Sequence, residues 1–213
     1  MSVSTDPGST AAASPPDAAH ESGRYRWPAV EMLVSGALGL VAALVLSIEA
    51  IELAANPDAV LSCDFSAKIS CGAVGESWQA SLLGFPNSFF GLIAEPIVIT
   101  VAVALLGWGG EVRFPRWFMV TAQVVYTLGL ILAYWLFYEA YFTIGALCPW
   151  CLLVTVTTLL VWMSLTRINV LEGNLGAGLQ RGLDTPLRVY KADLVVSVLL
   201  IAILAAMIVY GYL

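Results

Sequence analysis

LCPWCLLVTVTTLLVWMSL, Leu147 to Leu165, decides the fold, because it runs the length of a bilayer core without a charged residue. A membrane-spanning helix needs about 20 such residues, and lipid offers no partner for an unpaired backbone group, so the segment must cross as a helix. Four more stretches meet the same test: Ala29–Leu53, Phe89–Trp108, Trp117–Tyr138 and Ala192–Tyr212. Composition agrees. Hydrophobic residues are 60% of the chain, charged residues 11%, and the mean hydropathy is +0.87, outside the range of soluble domains. The fold class expected is an all-α integral membrane protein.

The first stretch of chain differs. Residues 1–27 are rich in Ser, Thr, Pro, Ala, Asp and Gly, and read as a disordered tail. The apolar run that follows starts too late and is too long for a cleaved signal peptide, so it reads as an anchor. The only histidine, His20, lies in this tail, which argues against histidine catalysis in the membrane core.

Basic residues orient the spans. Arg24 and Arg26 precede the first, Arg113 and Arg116 separate the second from the third, and Arg167, Arg181, Arg188 and Lys191 separate the fourth from the fifth. These segments alternate onto one face; the other face has Lys68. The positive-inside rule makes the basic face cytoplasmic, with the N-terminus inside and the C-terminus outside. The net charge of −6 does not bear on this, because the rule does not count acids.

All four cysteines then fall on the outer face. Cys63 and Cys71 lie in the loop 54–88, and Cys148 and Cys151 form a C-x-x-C where the connection 139–146 enters the fourth span. Disulfides persist on that side of a membrane. A cysteine at a helix N-terminus has its thiolate stabilised by free N–H groups and the helix dipole. That describes Cys148, with Cys151 one turn further in, where a lipid-soluble acceptor could reach it. Trp150 and Phe142 could wall such a site or anchor at the interface. The alternative for Cys63 and Cys71 is a structural staple on that loop. Four cysteines could also bind zinc, but the wide first pair and the proline in the second fit structural zinc spacing poorly, and no metal is expected.

The run Cys63-Asp64-Phe65-Ser66-Ala67-Lys68-Ile69-Ser70-Cys71, then Ser77, then Asn87-Ser88-Phe89-Phe90-Gly91, then Cys148-Pro149-Trp150-Cys151, resembles the vitamin K epoxide reductase family in order and spacing. The resemblance covers about residues 28–168. The DsbB family does similar chemistry with the two pairs in the opposite order. The resemblance implies a four-helix bundle around a quinone pocket over 28–168, with a short half-buried helix at about Ser77–Leu83 in the outer loop. A cytoplasmic loop (169–191) and a fifth helix (192–213) follow. It implies that Cys63 forms a mixed disulfide with a thioredoxin-like partner, that Cys71 exchanges with Cys148, and that Cys151 reduces the quinone. Each step is thiolate attack on a disulfide sulfur. Asn87 would hydrogen-bond a quinone carbonyl, Phe90 and Thr155 would complete that site, and Ser77 and Trp150 would support it. Vertebrate members carry a tyrosine where this chain has Thr155, a departure that bears on epoxide chemistry.

The reading is a thiol:quinone oxidoreductase of a plasma (inner) membrane that re-oxidises a secreted DsbA-like protein. Many bacterial members carry a fused thioredoxin-like domain; this chain stops at Leu213, so the partner is expected to be a separate protein. Menaquinone is the favoured acceptor and ubiquinone the alternative; nucleic acid is not an expected partner. The rival reading is a disulfide-stapled transporter or scaffold without redox catalysis. Of the other polar residues, Glu95 within the second span reads as protonated or paired inside the bundle. Glu49 and Glu52 read as markers of the water boundary, Asp64 as a solvated loop acid or a modulator of Cys63, and Gly36 and Gly39 as close helix contacts.

Overall fold

A computed structural model of the protein describes residues 15–107, 112–189 and 192–212. Its elements are helices. In chain order they are α1 (Pro15–Ala55), α2 (Cys71–Gly75), a 3-10 turn (Trp78–Ser81), α3 (Ser88–Gly107) and α4 (Arg116–Glu139). A π-helical turn (Ala140–Ile144), α5 (Pro149–Leu171), α6 (Ala177–Val189) and α7 (Ala192–Tyr212) follow. Among the described residues, five helical stretches are long and apolar enough to cross a membrane: Tyr25–Ala55, Ser88–Gly107, Arg116–Ile144, Pro149–Leu171 and Ala192–Tyr212. The protein is therefore an all-α integral membrane protein. Large apolar side chains such as Val34, Val41, Ile48, Ile93, Ile131 and Val198 point outward, as lipid-facing positions do.

Helix α1 packs against α3 and α5, and α4 packs on α5. Small residues set the α1–α3 approach: a Cβ on Gly91 would lie 2.7 Å from the Ala43 Cβ, and one on Gly39 would lie 2.8 Å from Glu95 Oε1. Gly36 and Gly39 are thus helix contacts. Glu95 is buried in the bundle and accepts a hydrogen bond from the Tyr126 hydroxyl at 3.1 Å. A polar ladder joins α4 to α5: Gln123 Nε2 donates to Thr166 at 2.9 Å, Asn169 Nδ2 to Gln123 Oε1 at 3.1 Å, and Trp162 Nε1 to Thr127 at 2.8 Å. At the same end, Arg167 and Asp193 form a 2.6 Å ion pair that ties α5 to α7. At the other end α7 docks through Tyr141, whose hydroxyl donates to Met207 O at 3.0 Å.

Several boundaries move. Helix α1 starts at Pro15, inside the stretch read as a disordered tail over 1–27; residues 1–14 lie outside the described ones. Proline is compatible with a first helical turn, where no N–H is needed, so composition alone misplaced this start. Most of the connection 139–146 is helical, ending in the π turn and Gly145 at φ 73°. The loop 169–191 holds the end of α5 and the whole of α6. The helix expected at Ser77–Leu83 is a shorter 3-10 turn with Ser77 at its N-cap, and α2 was not anticipated.

Candidate active site

Asp64 organises the loop between the first two cysteines. Its Oδ2 accepts from Leu61 N at 2.8 Å, and its Oδ1 from the Ser70 hydroxyl at 2.7 Å and Gly72 N at 2.9 Å. Burial opposes its charge, but these donors and the Cys71 N–H outweigh that and hold the carboxyl below its usual value. Ser70 caps α2 by accepting from Ala73 N at 3.0 Å, which sets Cys71 at the first position of that helix.

Main-chain pairing then carries this loop to the fourth span. Leu147 N donates to Lys68 O at 2.9 Å, and Ser70 N donates to Leu147 O at 3.1 Å. Cys71 and Cys148 each follow the paired residue directly, so the two sulfurs meet at 2.9 Å. Cys63 and Cys71 are joined as a disulfide, with Cα atoms 5.6 Å apart. Cys148 and Cys151 are not bonded to each other. The sulfurs of Cys63, Cys71 and Cys148 lie within 4.8 Å of one another. Two of those three are joined, which removes the thiolates that a metal would need, and the cluster has the geometry of disulfide exchange.

Cys148 is the N-cap of α5, with Pro149 in the first turn. Its sulfur accepts from Cys151 N at 3.3 Å. The Cys151 thiol, with the N–H groups of Cys151 and Trp150, outweighs burial and the charge of Glu49 and holds the Cys148 thiol below its usual value. Trp150 and Cys151, both partly buried, pack on the cluster of Leu53, Leu61, Cys63, Cys71 and Cys148.

The other expected site residues are placed as follows. Asn87 clamps the 3-10 turn: its Nδ2 donates to Gln79 O at 2.6 Å and its Oδ1 accepts from Leu82 N at 3.2 Å. One amide hydrogen remains to donate elsewhere. Thr155 is buried one turn below Cys151, and its hydroxyl donates to Cys151 O at 2.9 Å. That leaves it only lone pairs to offer a ligand, the usual way a threonine satisfies itself in a membrane helix. Phe90, at the start of α3, is exposed, its ring tilted against that of Phe85 at 5.3 Å between centroids. Ser77 donates to Val74 O at 2.6 Å and so braces α2 against the 3-10 turn. Phe142 is exposed, its ring 4.8 Å from that of Tyr138.

Two features escaped the sequence reading. Cys63, expected to meet the thioredoxin-like partner, is only 3% exposed. Glu49, read as a marker of the water boundary, is 6% exposed, and its carboxyl oxygens lie 3.4 and 3.5 Å from Cys63 Sγ. The signal that could have found Glu49 was its position within a span, where a carboxylate needs a reason to be.

Comparison with curated proteins gives no match. The family model described as "Vitamin K epoxide reductase family" matches residues 30–166, a stretch that holds all four cysteines, the second and third spans and most of the first and fourth. The chain therefore belongs to the vitamin K epoxide reductase family, and is a membrane oxidoreductase of that kind.

Proposed function

We propose that this protein re-oxidises an extracytoplasmic, DsbA-like dithiol protein and passes the electrons to a membrane quinone. The observation that carries the reading is the 2.9 Å approach of the Cys148 sulfur to Cys71 of the loop disulfide. A staple has no use for a free thiol in contact with one of its sulfurs.

The exchange proceeds by four displacements, each breaking one S–S bond as it forms another. A partner thiolate attacks Cys63, and Cys71 leaves with the electron pair. The partner's second thiol attacks its own bonded sulfur, and Cys63 leaves, so the partner departs oxidised. Cys71 then attacks Cys148 of an oxidised C-x-x-C and expels Cys151. Finally Cys63 attacks Cys71 and expels Cys148. Two electrons and two protons have moved inward, and the product has the loop disulfide closed and the C-x-x-C reduced, which is the arrangement of this structure. The lowered pKa of Cys148 favours the last step, because the sulfur that leaves is the one best able to carry charge.

A quinone supplies the two-electron sink. Cys151, Thr155, Asn87 and Phe90 are the residues that would hold it; Cys151 is only partly buried, and Asn87 keeps one amide hydrogen free to donate. Menaquinone is the favoured acceptor. Val60 and Phe65, strongly exposed on either side of Cys63 in the chain, suit an apolar partner surface. Cys63 itself is covered, so the partner has to displace the loop tip to reach it. The thiol end faces outward and the arginine end inward, by the excess of basic residues at the latter.

The test is quinone reduction followed by absorbance, with purified protein in detergent, dithiothreitol as donor and a short-chain menaquinone as acceptor. Wild type is expected to turn over and Cys151→Ser to fall to the uncatalysed background. Equal rates in the two proteins would overturn the reading.

A further inference from the structure

The family exchange accounts for four sulfurs but leaves the protons without a carrier at Cys63. We infer that Glu49 is the acid–base partner of Cys63, giving the sulfur a proton when it is expelled and removing that proton when it attacks. The inference rests on the exchange sequence proposed above.

Glu49 lies near the outer end of α1, buried, with both carboxyl oxygens against Cys63 Sγ at 3.4 and 3.5 Å. In the disulfide Cys63 has no hydrogen, so a proton shared at this contact sits on the carboxyl. Once Cys63 is released as a thiolate, a carboxylate at the same distance would put two negative charges together in a buried site. Like charges in such contact do not both persist, and the pair holds one proton between them. The other titratable groups facing Glu49 do not relieve this: Asp64 from the loop and Glu52 from its own helix are acids, and Cys148 and Cys151 approach from α5 as thiols. The Ser62 hydroxyl donates to Glu49 Oε1 at 2.8 Å, and Ser62 is exposed. This provides a route from the buried carboxyl to water.

The steps balance. When the partner's second thiol takes over the partner–Cys63 bond, the electron pair of that bond stays on Cys63 and the Glu49 proton joins it. Glu49 is left as a carboxylate, with the Ser62 hydroxyl donating to it. When Cys63 attacks Cys71, its proton passes to the Glu49 carboxylate, its lone pair forms the new S–S bond, and Cys148 departs with the pair of the bond that breaks. Glu49 touches the reacting sulfur and is a catalytic residue in this sense.

The experiment uses the full chain with Cys71, Cys148 and Cys151 replaced by Ser, so that Cys63 is the only thiol. Its reaction with the uncharged disulfide 4,4′-dithiodipyridine is followed by thione release, which needs neither quinone nor partner. Failure here and failure of the quinone assay are therefore separate results. If Glu49 is a base, Glu49→Gln slows the reaction on the order of tenfold near neutral pH. The variant's rate then rises about tenfold per pH unit, as an unassisted thiol does below its pKa, whereas the rate with Glu49 present rises less steeply. Glu49→Asp is expected to be intermediate, and Ser62→Ala to slow the reaction with the carboxyl still in place. A carboxylate that is merely a nearby negative charge predicts the opposite sign: Glu49→Gln would raise the thiolate fraction and react faster. Equal or faster reaction in Glu49→Gln overturns the inference. Should that variant not fold, unchanged rates in both Glu49→Asp and Ser62→Ala overturn it.

Discussion

Asp64 shows how one side chain converts sequence into site geometry. Its carboxylate gathers donors from Leu61, Ser70 and Gly72, and the helix start that presents Cys71 follows from that knot. Its folded pKa lies below the ordinary value of 3.8. The stability it lends is therefore present above the unfolded pKa and lost as pH falls through the lower folded one. Reduction of the Cys63–Cys71 bond by a phosphine, which acts in acid, should accelerate as pH drops below about 4. Asp64→Asn should remove that acid step and open the loop faster at neutral pH; an unchanged profile would contradict this role. The cysteines were legible as chemistry because their number is small and their spacing distinctive. Glu49 was not, because its meaning depends on a loop that folds back over α1 to set Cys63 upon it. Nor was the committed hydroxyl of Thr155, since its acceptor is a backbone carbonyl rather than another motif residue.

Among the elements, the long helices could be read from length and lack of charge, and the ends could not. Proline at the start of α1 and the π turn after α4 carry weak local signals, and both follow from backbone hydrogen bonding that composition does not report. The pairing of Lys68 and Ser70 with Leu147 is equally silent, since it uses main-chain atoms alone. It is nonetheless what brings the two thiol pairs together. Helix α3 meets α1 at Gly91, where an added Cβ would lie 2.7 Å from the Ala43 Cβ. Gly91→Val is expected to force the helices apart at a cost of about 1–3 kcal/mol, read as a lower midpoint of thermal unfolding in detergent. A variant as stable as wild type would show that the helices do not depend on this contact.

At the scale of the molecule, the helices sort the chain into two ends. One carries Arg116, Arg167 and the Arg167–Asp193 ion pair, and the other the cysteine cluster. The arginine pattern in the sequence already implied this division, because antiparallel spans send alternate connections to opposite ends. A membrane-impermeant maleimide added to intact cells after mild reduction should label the cysteines; labelling seen only in inverted vesicles would reverse the orientation proposed above. The exchange itself turns on a bond that does not yet exist in this structure, between Cys71 and Cys148. The most direct measurement is made on Cys63→Ala/Cys151→Ala, in which only those two thiols remain. After mild oxidation, intact-protein mass spectrometry with alkylation should show both thiols lost to one intramolecular disulfide. Two free, alkylated thiols, under conditions that close Cys63–Cys71 in the Cys148→Ala/Cys151→Ala protein, would contradict the account.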